Sequence, residues 1–275
     1  MSRPRILLTH TPDMRAQYYG DAALAGLRSQ GHVVLHESAE PLSAEALIAA
    51  ARGCELIVAD RNTPVGAGVI AGLADVAAIL RVAVDIRNID VVAASAKGIL
   101  VTQASRSWVA AVSELAIGLM IDAARGMSRA DAAYKAGRGS AVAMGRQLGG
   151  ATAGIIGYGP LGKRVAELCL AFGMTVLVYD PYAKGVEPSV RQTSLDDLCA
   201  QADYVLPLAV ATAETENLIG AKELASMRST AYLINLSRGN LIDEAALIAA
   251  LDARQIGGAA MDVGRAADQM SSLDL

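Results

Sequence analysis

Two hydrophobic rhythms alternate along this chain. Short unbroken apolar runs rich in Val, Ile and Leu suit strands buried on both faces. Between them lie segments whose apolar residues return every three or four positions, as on one face of a helix. In the first part the pattern predicts strands at Arg5–Thr9, Val33–His36, Glu55–Ala59, Ile79–Val84 and Gly98–Thr102. Helices are predicted at Tyr18–Gln30, Ala44–Arg52 and Val91–Lys97. A long helix of small and apolar residues, Trp108–Arg125, follows, and a Gly- and Ala-rich link, Lys135–Gly150, leads onward. The second part repeats the alternation. Strands are predicted up to Ile156 and at Thr175–Tyr179, Ala202–Leu206, Ala231–Asn235 and Gly258–Asp262, with helices at Lys163–Phe172, Ala221–Met227 and Asp243–Ala253. Strands alternating with helices imply βαβ units and parallel sheets.

One join in this pattern carries chemistry. The apolar run ending at Ile156 passes into Gly157-Tyr-Gly159-Pro-Leu-Gly162 and then into a helix. That is the strand, glycine turn and helix order of a dinucleotide site. The first glycine allows the tight turn, the second lets backbone approach a pyrophosphate, and the third lets helix and strand pack closely. Pro160 and Leu161 would cover the pyrophosphate, Leu161 alone by an N–H because proline has none. The next strand ends in Asp180, eighteen positions beyond Gly162, where an acidic side chain can accept the ribose hydroxyls. No arginine follows Asp180, so NAD is favoured over NADP, with Lys184 the nearby residue that argues the other way.

Composition narrows the rest. A chain of 275 residues that is 53% hydrophobic and 19% charged suits one or two α/β domains. A net charge of −4 offers no basic footprint for nucleic acid, and no apolar run reaches the length of a membrane span. Cys54, Cys169 and Cys199 lack metal-ligand or CxxC spacing and read as reduced thiols of a cytoplasmic protein, with no metal site expected.

Four further segments, in order around the glycine turn, resemble the D-isomer-specific 2-hydroxyacid dehydrogenases, the family of phosphoglycerate, glycerate and formate dehydrogenases. Arg81-Val-Ala-Val-Asp-Ile-Arg-Asn-Ile-Asp90 is similar to that family's Arg-x-Gly-x-Gly-x-Asp-Asn-Ile-Asp loop. Val112-Ser-Glu-Leu115 resembles its Val-Ala-Glu-Leu helix start. Asn235-Leu-Ser-Arg-Gly-Asn-Leu-Ile-Asp243 resembles its Asn-x-x-Arg-Gly-x-x-Val-Asp signature, and Ala259-Ala-Met-Asp-Val263 its Ala-Leu-Asp-Val strand. The resemblance implies two doubly wound parallel-sheet domains with a cleft between them. Residues 1–103 would form a flavodoxin-like substrate domain and residues 104–275 a Rossmann NAD-binding domain. It also implies a homodimer joined through the NAD-binding domains.

The same resemblance assigns roles. Arg238 would hold a substrate carboxylate bidentately and polarise the C2 carbonyl oxygen, work for which a planar guanidinium is suited. Asp262 would accept from the nicotinamide carboxamide, Ala209 and Leu236 would line the cofactor, and Val84 would lie near the nicotinamide and the substrate carboxylate. Departures are informative. Ala83 and Asp85 replace the family's two loop glycines, Arg87 its aspartate, and Trp108-Val109 its Asn-Thr before the long helix. Trp108 either takes space in the cleft, which points to a substrate other than 3-phosphoglycerate, or anchors the hinge from within the core. Arg61 is the other basic candidate for a second anionic group.

A proton donor is also required, and histidine is the usual choice near neutral pH. The family places it in a Pro-His segment beyond the Asp-Val strand, oriented by an upstream glutamate. Here all three histidines, His10, His32 and His36, lie in the first 36 residues, and Asp268 sits one place from the glutamate position. The expectation is a polypeptide that continues past Leu275. His10, at a strand end, reads as structural. The leading function is an NAD-dependent dehydrogenase of a D-2-hydroxy acid. Its rivals are an NAD(H)-binding regulatory or scaffold protein with lost catalysis, and a dehydrogenase for a different carbonyl substrate.

Overall fold

The computed structural model describes residues 3–84, 86–139 and 144–265. The chain divides into two compact units, Met1–Arg106 and Ser107–Leu275.

Five strands form the first unit: β1 (Arg5–Leu8), β2 (His32–Leu35), β3 (Leu56–Ala59), β4 (Ala78–Arg81) and β5 (Leu100–Thr102). They pair in parallel in the order β2-β1-β3-β4-β5, the flavodoxin-like arrangement. Helices Asp21–Gln30, Ala44–Ala50, Ala67–Gly72 and Val91–Ala96 connect them. Local chemistry fixes where several helices begin. Ser43 and Asp90 accept from the backbone N–H groups of Ala46 and Ala93, satisfying donors that a helix start leaves unpaired. Leu7, Ile57 and Ile79 are buried in the core on one side of the sheet, with Leu47 and Ile70 from the helices and Leu73 just past one.

The second unit holds β6 (Thr152–Ile156), β7 (Thr175–Tyr179), β8 (Arg191–Gln192), β9 (Tyr204–Pro207), β10 (Tyr232–Asn235) and β11 (Gly258–Met261). All pair in parallel in the order β11-β10-β9-β6-β7-β8. Chain direction across the sheet therefore reverses between β6 and β9, the switch point at which doubly wound folds bind ligands. The Trp108–Arg125 helix packs on the Pro160–Ala171 helix, burying Ala116, Ile117 and Met120 in the core with Ile155, Val165 and Val178. Each of the larger side chains among these contributes about 1.5–3 kcal/mol by leaving water. Leu195–Gln201 and Glu244–Asp252 cover sheet residues in a separate buried cluster that includes Leu177, Val205 and Leu233.

Several elements differ from the sequence expectation. The helix expected from Tyr18 begins at Asp21, because Gly20 adopts φ +79° and separates it from a wide helical turn at Arg15–Tyr19. The strand expected over Ile79–Val84 runs Ala78–Arg81, and the chain leaves the sheet at Val82. The helix expected from Lys163 starts three residues earlier, with Pro160 in its first turn, where a missing N–H costs nothing. Helices Ala67–Gly72, Met127–Lys135 and Leu195–Gln201 and the edge strand β8 were not anticipated; all are short and β8 has only two residues. Among the described residues no helix is long and apolar enough to cross a membrane, and no group of three His, Cys, Asp or Glu side chains is placed to hold a metal.

Candidate functional site

The carboxyl ends of β6, β7, β9, β10 and β11 form one edge of the second sheet. That edge gathers Gly157–Gly162, Asp180, Ala209, Leu236, Arg238 and Asp262. Sequence positions far apart are thus brought to one rim, and each is held there by a traceable contact.

Gly157 leaves β6 with φ +99°, a conformation L side chains rarely adopt, and a Cβ there would lie 2.8 Å from the backbone of Ala209. At Gly162 a Cβ would overlap the carbonyl oxygen of Gly157, so helix and turn touch through bare backbone. Gly159 differs. Nothing lies within 4 Å of a Cβ built there, so its space faces outward from the turn. The Pro160–Ala171 helix begins beside that space, and the N–H groups of its first turn, with the positive end of the helix dipole, form a ready anion site. The Asp180 carboxylate accepts the Tyr158 N–H at 2.7 Å and the Tyr182 N–H at 2.8 Å. These bonds lock the glycine turn to the end of β7. They use two of about four acceptor sites, leaving the others for ribose hydroxyls. Open space at Gly159, donors at a helix start and an acidic acceptor one strand away fit a dinucleotide.

Across the switch point, buried Asn235 organises the Arg238 turn. Its Oδ1 accepts the Ser237 N–H at 3.0 Å and its Nδ2 donates to the Arg238 carbonyl at 2.8 Å. Ser237 Oγ donates to the Ala209 carbonyl, tying the β10 loop to the β9 loop. Gly239 meets the Gly264 backbone so closely that no side chain fits. The Arg238 side chain is exposed, and among the described residues its guanidinium bonds the Ser237 carbonyl at 2.7 Å. Its guanidinium thus keeps donors for an incoming carboxylate. Asp262 is exposed, with its N–H on the Asn235 carbonyl. Leu236 is buried and Ala209 half-buried, so both present apolar surface at the rim.

Sequence reasoning missed Asn235 and Ser237 as organisers, although both stand inside the Asn-x-x-Arg signature. It also missed Arg265, whose guanidinium donates to Glu216 at 2.8 Å, to the Ile242 carbonyl at 2.7 Å and to Asn217. Arg265 so fastens the segment after β11 to the loop after β9. No local pattern in the sequence announces this contact, because its partners lie 23 to 49 positions away. Asp268 and Asp85 lie outside the described residues.

In the first unit Val84 is half-buried in the turn after β4, and Arg61 is exposed. Trp108 is 40% exposed at the first position of its helix in the second unit, so it is not an anchor sealed in a core. A buried polar cluster closes the carboxyl ends of β1, β3 and β4. Asp60 accepts from Thr9 Oγ1 at 2.6 Å, from Thr63 Oγ1 and from the Asn62 N–H. Burial alone would raise its pKa, but these bonds hold it below the usual value. Arg81, also buried, donates to the carbonyls of Asp60 and Arg61 and to Asn88.

His10 beside it is buried against Tyr19, and its Nδ1 has no partner among the described residues. Burial lowers its pKa; Asp60 opposes the shift, and Arg15 and Arg81 add to it. The unfolded chain therefore takes up a proton near pH 6.5 that the folded chain refuses. Stability from His10 is complete above pH 6.5 and falls as pH drops towards the folded value. Asp60 acts in a separate window, losing its contribution only below 3.8. We predict that the urea midpoint falls between pH 7.5 and 5.5, and that His10→Phe flattens this fall. An equal fall in both proteins refutes the assignment.

Comparisons with known proteins identify the family. Residues 117–272 match the family described as D-isomer specific 2-hydroxyacid dehydrogenase, NAD binding domain. The chain is 38% identical to D-3-phosphoglycerate dehydrogenase of Methanocaldococcus jannaschii, over 82% of this chain and 44% of that protein. It thus spans less than half the length of that relative. With hydroxypyruvate reductase of Thermotoga maritima it shares 32% identity over 83% of this chain and 75% of the other. The apo structure of D-lactate dehydrogenase from Escherichia coli superimposes with a TM-score of 0.77 at 26% identity, over 94% of this chain and 81% of that one. The chain belongs to the D-isomer-specific 2-hydroxyacid dehydrogenase family, whose NAD-binding domain residues 117–272 match.

Proposed function

We propose that this protein is an NAD-dependent dehydrogenase that interconverts a D-2-hydroxy acid and its 2-keto acid. The observation that carries the reading is the shared rim of the second sheet, where the glycine turn and Asp180 stand beside an exposed Arg238 with donors to spare. When bound, NAD supplies the hydride acceptor at nicotinamide C4. The chain's own residues bind and orient. Leu161 and Gly162 offer N–H groups to the pyrophosphate, Asp180 accepts the ribose hydroxyls, and Asp262 accepts from the carboxamide. Arg238 holds the substrate carboxylate and stabilises the negative charge on the C2 oxygen, which makes C2 the acceptor of hydride in the reductive direction. In oxidation, hydride leaves C2 as the hydroxyl proton leaves to a base. In the family pattern that base is a histidine, which Asp268 is the candidate to orient.

Residues 1–103 serve as the substrate domain in this reading and residues 104–275 as the NAD-binding domain. Val84 of the first unit and Trp108 of the second are the substrate residues this reading carries over from the family pattern. The assembly is a homodimer through the NAD-binding domains, working in the cytoplasm. A partly exposed indole favours apolar 2-keto acids over 3-phosphoglycerate as partners for the site. NADH titration followed by fluorescence, with turnover of a panel of D- and L-hydroxy acids and keto acids, tests the proposal. Saturable NADH binding and turnover of the D-series are expected. Absence of NADH binding would sink the cofactor reading, and strong preference for 3-phosphoglycerate would sink the substrate class.

A further inference from the structure

The loops leaving β7 and β9 face each other across the carboxyl end of β6, because β6 lies between those strands. Neighbouring strands are about 4.8 Å apart, so the two loops stand roughly two spacings from one another. A side-chain hydrogen bond crosses this gap. Tyr182, two residues beyond Asp180, reaches from the β7 loop and donates its hydroxyl to Glu214 Oε2 at 3.1 Å in the β9 loop. Both ends are seated. The Tyr182 N–H is fixed on Asp180 Oδ1 at 2.8 Å. Glu214 lies in the short turn Ala213–Thr215, where Thr215 Oγ1 donates to the Val210 carbonyl at 2.7 Å. An aromatic ring 78% exposed to solvent, yet held at both ends, is a surface prepared for something flat.

We propose that the Tyr182–Glu214 bridge is a positioning device for the adenosine half of the dinucleotide, and that Glu214 adds a second negative charge against a 2′-phosphate. The inference rests on the cofactor reading above. In that reading the pyrophosphate sits at the glycine turn and the ribose at Asp180, so the adenine end falls on the β7 side, where Tyr182 follows Asp180 by two residues. The bridge holds the ring before the ligand arrives, which removes an ordering cost from binding. Glu214 and Asp180 both act on the Tyr182 hydroxyl, the hydrogen bond to Glu214 first, and together raise its pKa. A phenol at its ordinary value of 10.0 is already neutral and donating at physiological pH, and the shift extends that range upward.

The test measures binding rather than turnover. Wild type, Tyr182→Phe, Glu214→Ala and Glu214→Gln are titrated calorimetrically with ADP-ribose and with nicotinamide mononucleotide, and by fluorescence with NADH and NADPH. Tyr182→Phe and Glu214→Ala are expected to weaken ADP-ribose and NADH by about threefold to tenfold, the effect of one hydrogen bond, and to leave nicotinamide mononucleotide unchanged. Glu214→Gln keeps an acceptor for Tyr182, so it should retain NADH affinity while the preference for NADH over NADPH narrows. Unchanged ADP-ribose affinity in Tyr182→Phe and Glu214→Ala, or a parallel loss for nicotinamide mononucleotide, overturns the positioning role. An unaltered NADH preference in Glu214→Gln overturns the charge role. Failure of the wild type to bind NADH or ADP-ribose instead removes the cofactor reading itself.

Discussion

Gly162→Ala is expected to destabilise the second unit by about 3 kcal/mol and to abolish NADH binding, the size of a severe overpacking defect. The reason is local. A Cβ at this position would overlap the Gly157 carbonyl oxygen, and backbone cannot turn aside as a flexible side chain can. Relief requires the Pro160–Ala171 helix to move off β6, which separates Val165 and Ala166 from Ile155 in the core. Gly159→Ala is the matched control. Open space surrounds its Cβ, so thermal stability should hold, while the methyl group occupies the approach to the pyrophosphate and weakens NADH binding. Thermal melts and NADH titrations of the two variants separate a folding role from a binding role. If Gly159→Ala binds NADH as the wild type does, the phosphate does not sit at this turn.

The second large effect concerns Arg238. Replacement by Gln is expected to lower kcat/KM for the keto acid on the order of 10²–10³-fold, the usual loss when a preorganised donor to developing negative charge is removed. NADH affinity should change little, because the glycine turn and Asp180 do not depend on the Arg238 side chain. Lys is expected to restore little, since an ammonium is a point charge and cannot reproduce the planar bidentate fork. The loop itself should survive. Asn235 bonds the backbone carbonyl of residue 238, and Gly239 packs on Gly264, so neither contact involves the guanidinium. Steady-state kinetics with both Arg238 variants decide the matter. Equal kcat/KM in wild type and Arg238→Gln would remove this residue from the reaction.

Much of the fold is legible along the chain because the strands are buried on both faces and so are almost wholly apolar, as Ala153–Ile156 and Val176–Val178 are. Element ends were less legible. Gly20, with its φ of +79°, interrupts a segment that reads as one helix, and β8 is a two-residue edge strand too short to leave a pattern. The glycine turn and Asp180 were readable because their spacing is set by one strand and one helix, a purely local constraint. The same holds for Arg238 within its Asn-x-x-Arg signature.

The sequence by itself determined the alternation of strands and helices, the dinucleotide turn and its acidic partner, and the family to which these belong. Only the tertiary structure decided which groups meet across strands: Ser237 with Ala209, Arg265 with Glu216, and Tyr182 with Glu214. Periodicity and spacing report on contacts within a turn or two of the chain. Strand order in a parallel sheet is set by crossovers of many residues, so the neighbours it creates have no local signature.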